Sequence, residues 1–182
     1  MNILVLFGSP KKNGSTAKVT GALMKGFHKN DDVEIVHLYD LMPIPCNACG
    51  YCKASDGCSK KDLEEFWKKY DKADAIVVAT PVYNLSYPAP MKALFDRFQR
   101  FYEAHFKRDV RESFSKPKKA VILVTAGDNS YDGFEIIKKQ TERSFSIMNT
   151  KVTGSALIKD IDMKAVSQAD MQNAYELAKN LY

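Results

Sequence analysis

Apolar, largely β-branched runs alternate along the chain with stretches of helical period. Residues 3–7 (Ile-Leu-Val-Leu-Phe) predict a first strand. Residues 17–28 place Val19, Leu23 and Phe27 on one stripe, the spacing of an amphipathic helix. Further strands are predicted over 33–38, 75–80, 120–125 and 152–158, and further helices over 62–70, 89–106, 134–148 and 163–181. The 75–80 run is almost wholly apolar, as a central parallel strand covered on both faces requires. In 89–106 the residues Met91, Leu94, Phe95, Phe98, Phe101 and Tyr102 fall on one side. Five strands with helices between them predict an α/β fold with a doubly wound parallel sheet. No repeat or linker interrupts the pattern, so one domain over 1–182 is expected, with a cysteine-bearing loop at 43–60. The basic stretch 107–119 reads as an exposed excursion.

In an open α/β sheet, ligands bind beyond the carboxyl ends of the strands, at the point where strand order reverses. The first strand is followed by Gly8-Ser9-Pro10-Lys11-Lys12-Asn13-Gly14-Ser15-Thr16, which opens a helix. Strand, glycine- and hydroxyl-rich loop, then helix N-terminus is the arrangement that cradles a phosphate, because free N–H groups and the helix dipole favour an anion. The loop is not a Walker A motif: five residues separate Gly8 from Gly14, and Ser15 stands where that motif has lysine. Nor is it the Gly-x-Gly-x-x-Gly dinucleotide fingerprint. By itself it fits either a cup for one terminal phosphate or a polar turn capped by Ser15 or Thr16. Two more strand ends carry small or hydrogen-bonding residues: Thr80-Pro81-Val82-Tyr83-Asn84 and Ala126-Gly127-Asp128-Asn129-Ser130. Tyr83 and Tyr87 can offer aromatic faces and Asn84 a polar group, a mixture suited to a flavin ring; the segment by itself reads first as a proline-fixed turn before a helix, with the tyrosines as packing.

The net charge of +5 and pI near 8.9 come from lysines spread along the chain. Without a basic tract, nucleic-acid binding has weak support, while a basic surface suits phosphorylated cofactors. No apolar run approaches ~18 residues and no signal-peptide pattern is present, so a cytoplasmic protein without membrane partners is expected.

With these loops in place, the chain resembles the flavodoxin-like NADPH-dependent FMN reductase family. The matching segments are the Gly8–Thr16 loop, Thr80-Pro81-Val82-Tyr83 and Lys92-Ala93-Leu94-Phe95-Asp96-Arg97. The resemblance implies a three-layer fold with sheet order 2-1-3-4-5, bound FMN, NAD(P)H as co-substrate, and a homodimer or homotetramer. It implies that Ser9, Lys11, Asn13, Gly14, Ser15 and Thr16 hold the FMN phosphate. It further implies that Pro81, Val82, Tyr83 and Asn84 contact the ring, with Gly127 and Asp128 at its other edge. Lys92, Asp96 and Arg97 read as an ion-paired or solvated helix face, and His28, His37 and His105 as structural or surface residues away from these loops. No protein acid or base is required, since the cofactor carries the chemistry.

All four cysteines fall in one loop: Cys46, Cys49, Cys52 and Cys58, spaced C-x₂-C-x₂-C-x₅-C. Four thiolates so placed suit a [4Fe–4S] cluster, or zinc, or redox-active thiols. The spacing is similar to that of the iron–sulfur flavoproteins, a branch of the same family, which implies a cluster exchanging electrons with a ferredoxin-type partner. Relatives often open the next helix with two acids and a methionine, where this chain has Lys61-Asp62-Leu63. The expected activity is electron transfer from NAD(P)H through FMN to a quinone, flavin or protein acceptor. The rivals are a flavodoxin-like carrier without NAD(P)H activity, against which the basic charge weighs, and a cysteine-based metal or redox sensor.

Overall fold

Five strands pair in parallel in the computed structural model, which describes residues 1–110, 113–129 and 131–182. They are β1 (Asn2–Phe7), β2 (Asp32–His37), β3 (Ala75–Pro81), β4 (Lys118–Thr125) and β5 (Thr150–Ile158). Their order is β2-β1-β3-β4-β5, the expected 2-1-3-4-5. All seven residues of β3 are buried, as its apolar run foretold. The helices are α1 (Ser15–Met24), α2 (Leu38–Leu41), α3 (Tyr51–Ala54), α4 (Glu64–Lys72), α5 (Ala89–Arg97), α6 (Gln99–Arg108), α7 (Asp132–Ser146) and α8 (Gln168–Leu177), with a 3₁₀ turn at Ala178–Leu181.

Alternation along the strands divides the core in two. Ile3, Val5 and Phe7 of β1 join Val19 and Leu23 of α1 and Ala174 and Leu177 of α8 on one face. Leu4 and Leu6 join Phe66, Trp67, Tyr70, Leu94, Phe95, Phe98 and Phe101 on the other. Each large apolar side chain so buried contributes about 1.5–3 kcal/mol, which holds the helices to the sheet.

Several boundaries differ from expectation, each for a local reason. The predicted 89–106 helix is two helices, because at Phe98 the ladder tightens: Phe98 N–H donates to Phe95 O and Phe101 N–H to Phe98 O. The last helix begins at Gln168, not 163, where Ser167 and Asp170 form a reciprocal capping box. Residues 118–119 belong to β4, and Leu38 opens α2 rather than ending a strand. The 107–119 stretch is not a plain exposed excursion. Phe114 is buried and its ring lies 4.8 Å from that of Tyr70 and 4.9 Å from that of Phe101. Lys118 is 3% exposed, and its ammonium donates to the Asp71 and Ala73 carbonyls at 2.8 Å. Arg111 and Glu112 lie outside the described residues, as does Ser130 of the third loop.

Candidate functional site

The β1–β3 ladder runs one residue beyond Phe7, since Gly8 N–H donates to Ala79 O at 2.8 Å. A Cβ on Gly8 would lie 2.9 Å from Thr80 Oγ1 and 2.8 Å from Met91 Cε, so a side chain there would have to displace both, and glycine lets the chain pass close over β3 and α5. Ser9 Oγ accepts from the Lys11 N–H at 3.2 Å, which leaves its own O–H to donate elsewhere. Gly14 precedes α1 with no capping side chain, and no acid stands in the first turn. The first N–H groups of α1 are therefore available to an anion. The Thr16 hydroxyl is buried against Thr125 Oγ1 at 2.8 Å, tying α1 to β4, so Thr16 would face an anion through its backbone N–H rather than its side chain.

Backbone bonds also assemble the second and third loops. Val82 N–H donates to Thr125 O at 2.8 Å. Tyr83 and Ser86 exchange two backbone hydrogen bonds around Asn84 (φ 49°) and Leu85 (φ 61°), a two-residue turn with both centres left-handed. Tyr83 is half exposed, whereas Tyr87 is buried, stacked on Phe95 at 4.5 Å and donating to the Ile137 carbonyl. Tyr87 therefore offers its face to the core, not to a ligand. Beyond β4, the loop is joined to the one after β5: Ile161 N–H donates to Ala126 O and Asp162 N–H to Gly127 O, both at 3.1 Å. A Cβ on Gly127 would clash with the Asp162 carboxylate, so the absence of a side chain there admits that group.

These loops enclose a cavity of about 360 Å³ at the carboxyl edge of the sheet. Ser9, Lys11, Gly14, Ser15, Thr16, Pro81, Val82, Tyr83 and Gly127 line it. Asn13, Asn84 and Asp128 do not; all three are exposed, and the Asp128 carbonyl accepts from Asp160 N–H. Thr125, Ile161 and Asp162 line it without having been singled out from the sequence. Their signal was positional: Thr125 ends β4, and Ile161 and Asp162 follow β5 at the same sheet edge. A larger hollow, about 670 Å³, lies between α6 and α7 beneath Tyr102 and Phe106 and has none of these loops. His37, expected to lie apart, ends β2 beside Phe7, with ring centroids 5.2 Å apart, one residue before Gly8.

The cysteine loop leaves the edge strand β2 through α2 and rests on α6, with α3 packed against it. Cys46 and Cys49 are exposed; Cys52 and Cys58 are half-buried, and all four are free thiols. The Ser59 hydroxyl, 3.2 Å from Cys49 Sγ, draws that thiol below its ordinary pKa, helped by the Tyr51 N–H. Burial pushes the Cys52 thiol up, and the charges of Glu103, Cys58 and Cys46 add to it. Among the described residues, no three His, Cys, Asp or Glu side chains converge on a metal position. The donor set suits a cluster, but the loop as folded does not assemble its ligands.

Arg97 corrects the expectation of a solvated helix face. Lys92 and Asp96 do form an exposed pair at 2.5 Å, but the Arg97 side chain is only 1% exposed. Its guanidinium donates to Ile44 O and Asp62 Oδ1, each at 2.8 Å, and to Lys60 O at 2.9 Å. Burial alone would raise the Asp62 carboxyl, yet the Ile44 N–H and Arg97 hold it below the usual carboxylate value.

A family model described as NADPH-dependent FMN reductase matches residues 1–161. The chain belongs to that family. Among relatives, it is 38% identical over 99 residues to an iron–sulfur flavoprotein of Methanosarcina thermophila, covering 53% of this chain and 52% of that protein. It is 30% identical over 156 residues to an iron–sulfur flavoprotein of Methanocaldococcus jannaschii, covering 85% and 76%. The chain thus spans about half the length of the first relative. The fold is shared with an NAD(P)H:quinone oxidoreductase from Methanothermobacter marburgensis, which superposes with a TM-score of 0.73 at 19% identity over 100% of this chain and 96% of that one. Family and sheet order thus agree with the sequence resemblance. Among the described residues, no helix is long and apolar enough to cross a membrane.

Proposed function

We propose that the protein is an FMN-dependent oxidoreductase that takes electrons from NAD(P)H and passes them to a quinone, a flavin or a protein acceptor. The cavity beyond β1, β3 and β4 carries this reading, because it joins an uncapped helix N-terminus to an apolar, aromatic-edged slot. Its volume falls within the range of small-molecule sites, about 300–1,000 Å³. The residues fit FMN by the chemistry of their donors. Lys11, the Ser9 and Ser15 hydroxyls and the first N–H groups of α1 would hold the phosphate. Pro81, Val82 and Tyr83 would flank the ring, with Gly127 leaving room at its other edge.

FMN supplies hydride acceptance from a nicotinamide and onward release of the electrons. The chain's residues bind and orient. Pro81 stiffens the loop, the Val82–Thr125 bond fixes its distance from β4, and the half-exposed Tyr83 borders the open side where a nicotinamide would stack. No side chain is assigned an acid or base role. A cytoplasmic location fits the free thiols, and a homodimer or homotetramer is proposed by family likeness alone.

The names of the relatives and the C-x₂-C-x₂-C-x₅-C spacing support a [4Fe–4S] cluster on Cys46, Cys49, Cys52 and Cys58. Because the sulfurs do not converge, no electron step is assigned to them. Iron and sulfide analysis of anaerobically purified protein tests the cluster.

The test of the main reading is anaerobic mixing of FMN-loaded protein with NADH and, separately, NADPH. Rapid bleaching of the flavin by one of them is expected. Bleaching far slower than turnover with an artificial acceptor would instead favour an electron carrier. Failure to take up FMN at all would sink both.

A further inference from the structure

We infer that Arg97 is the positioning residue of the cysteine loop: its guanidinium ties both ends of the loop to α5, so that the half-buried Cys52 and Cys58 are seated on α6. This assignment does not depend on what the thiols hold. Arg97 Nη1 donates to the Ile44 carbonyl before the first cysteine, and Nη2 to the Lys60 carbonyl after the last. The same Nη1 reaches Asp62 Oδ1, while Asp62 Oδ2 accepts from the Ile44 N–H at 2.9 Å. One cation and one carboxylate therefore close the neck of a loop that contains every cysteine of the chain. The body of the loop lies on the same helical pair. Arg108 reaches Asp56 at 3.2 Å, and Arg100 Nη2 would lie 3.5 Å from a Cβ on Gly57.

A guanidinium is suited to this task, because its planar fork presents several N–H donors in fixed directions to two carbonyls and a carboxylate. An ammonium is a point charge and cannot span all three. The neck matters because the loop has little else regular in it: α3 is a single turn, and Ala48, Gly50 and Gly57 are left-handed. Holding such a segment closed costs conformational entropy that local structure does not offset. Arg97 also stands on the helix that underlies the loop after β1. It ends the helix whose Met91 underlies Gly8, and six residues of helix place it about 9 Å along the axis from that contact.

The test measures alkylation of each thiol by iodoacetamide in the full-length, FMN-loaded, metal-free protein, resolved by mass spectrometry. In Arg97→Gln the rates at Cys52 and Cys58 are expected to rise about tenfold or more, as an opened neck becomes populated. The rate at Cys46, already exposed, should stay within about twofold, and that at Cys49, whose thiolate is favoured by Ser59 beside the neck, should not rise; FMN affinity should stay within about threefold, because it does not depend on local opening of the neck. Arg97→Lys should behave like Arg97→Gln, diluted. Asp62→Asn leaves the two carbonyl contacts in place and should raise Cys52 and Cys58 labelling less, in the same direction; it serves if Arg97→Gln does not fold. An equal rise at all four thiols, which general loosening would produce, overturns the assignment. So does no rise at Cys52 and Cys58 in the variants that fold.

Discussion

The loop after β1 and the loop after β2 are neighbours in the sheet order and opposites in construction. The first is short, leaves a central strand and is shaped by backbone: Gly8 continues a ladder and Gly14 opens a helix. The second is long, leaves an edge strand and is closed by a side-chain pair, Asp62 with Arg97, 35 residues further on. A site made of N–H groups needs only the right local sequence. A site made of side chains needs a scaffold, and here the scaffold arrives from another part of the chain.

The sharpest way to break this comparison is Arg97→Gln. Removing one partner of a buried pair leaves the other stranded, and with Asp62 partly exposed the low end of the usual range applies, about 3 kcal/mol. Denaturant unfolding should show that loss while FMN titration stays near wild type. A matching loss of FMN affinity would mean that the two loops are one unit. Gly8→Val is the reciprocal change. Its Cβ would press on Thr80 and Met91, costing about 1–3 kcal/mol by overpacking and weakening FMN by ~10- to 100-fold, with thiol labelling unchanged.

Lys11→Gln sharpens the first loop alone. It should weaken FMN by about tenfold at low salt and much less at high salt, because a partly exposed charge is screened. Riboflavin, which lacks the phosphate, should bind both proteins alike; an equal loss for riboflavin would move the phosphate elsewhere. The smallest effect is set by pH, outside both loops. Lys116 chiefly, with the Asn2 N–H, holds the Asp74 carboxyl below its ordinary value. A depressed folded-state pKa means stability that is present above the unfolded value of about 3.9 and is lost as pH falls below it. Melting temperature should therefore be insensitive to this pair from about pH 7 to 5 and decline below about pH 4, and Asp74→Asn should flatten that decline. An unchanged slope would dismiss the pair.

Most of the fold was legible because a parallel sheet demands apolar strands, and β1, β3 and β4 have them. Boundaries were less so where a cap or a tightened turn decided them, as at Ser167 and Phe98. The cavity was legible where its lining follows β1 and β3 directly. Asp162 was not, because its approach to Gly127 depends on how two loops from neighbouring strands are joined. Tyr87 packs in the core, one of the two roles open to it, because an aromatic in a proline-stiffened loop reads the same whether it faces ligand or core.

The sequence by itself determined the strand order's ingredients, the phosphate-type loop and the clustering of four thiols, since each follows from local pattern and spacing. Only the tertiary structure decided that Arg97 is buried, that Thr16 spends its hydroxyl on Thr125, and that the loop after β5 reaches the cavity. The reason is physical: local pattern governs what a segment can form, while burial and pairing depend on partners tens of residues away that only packing brings together.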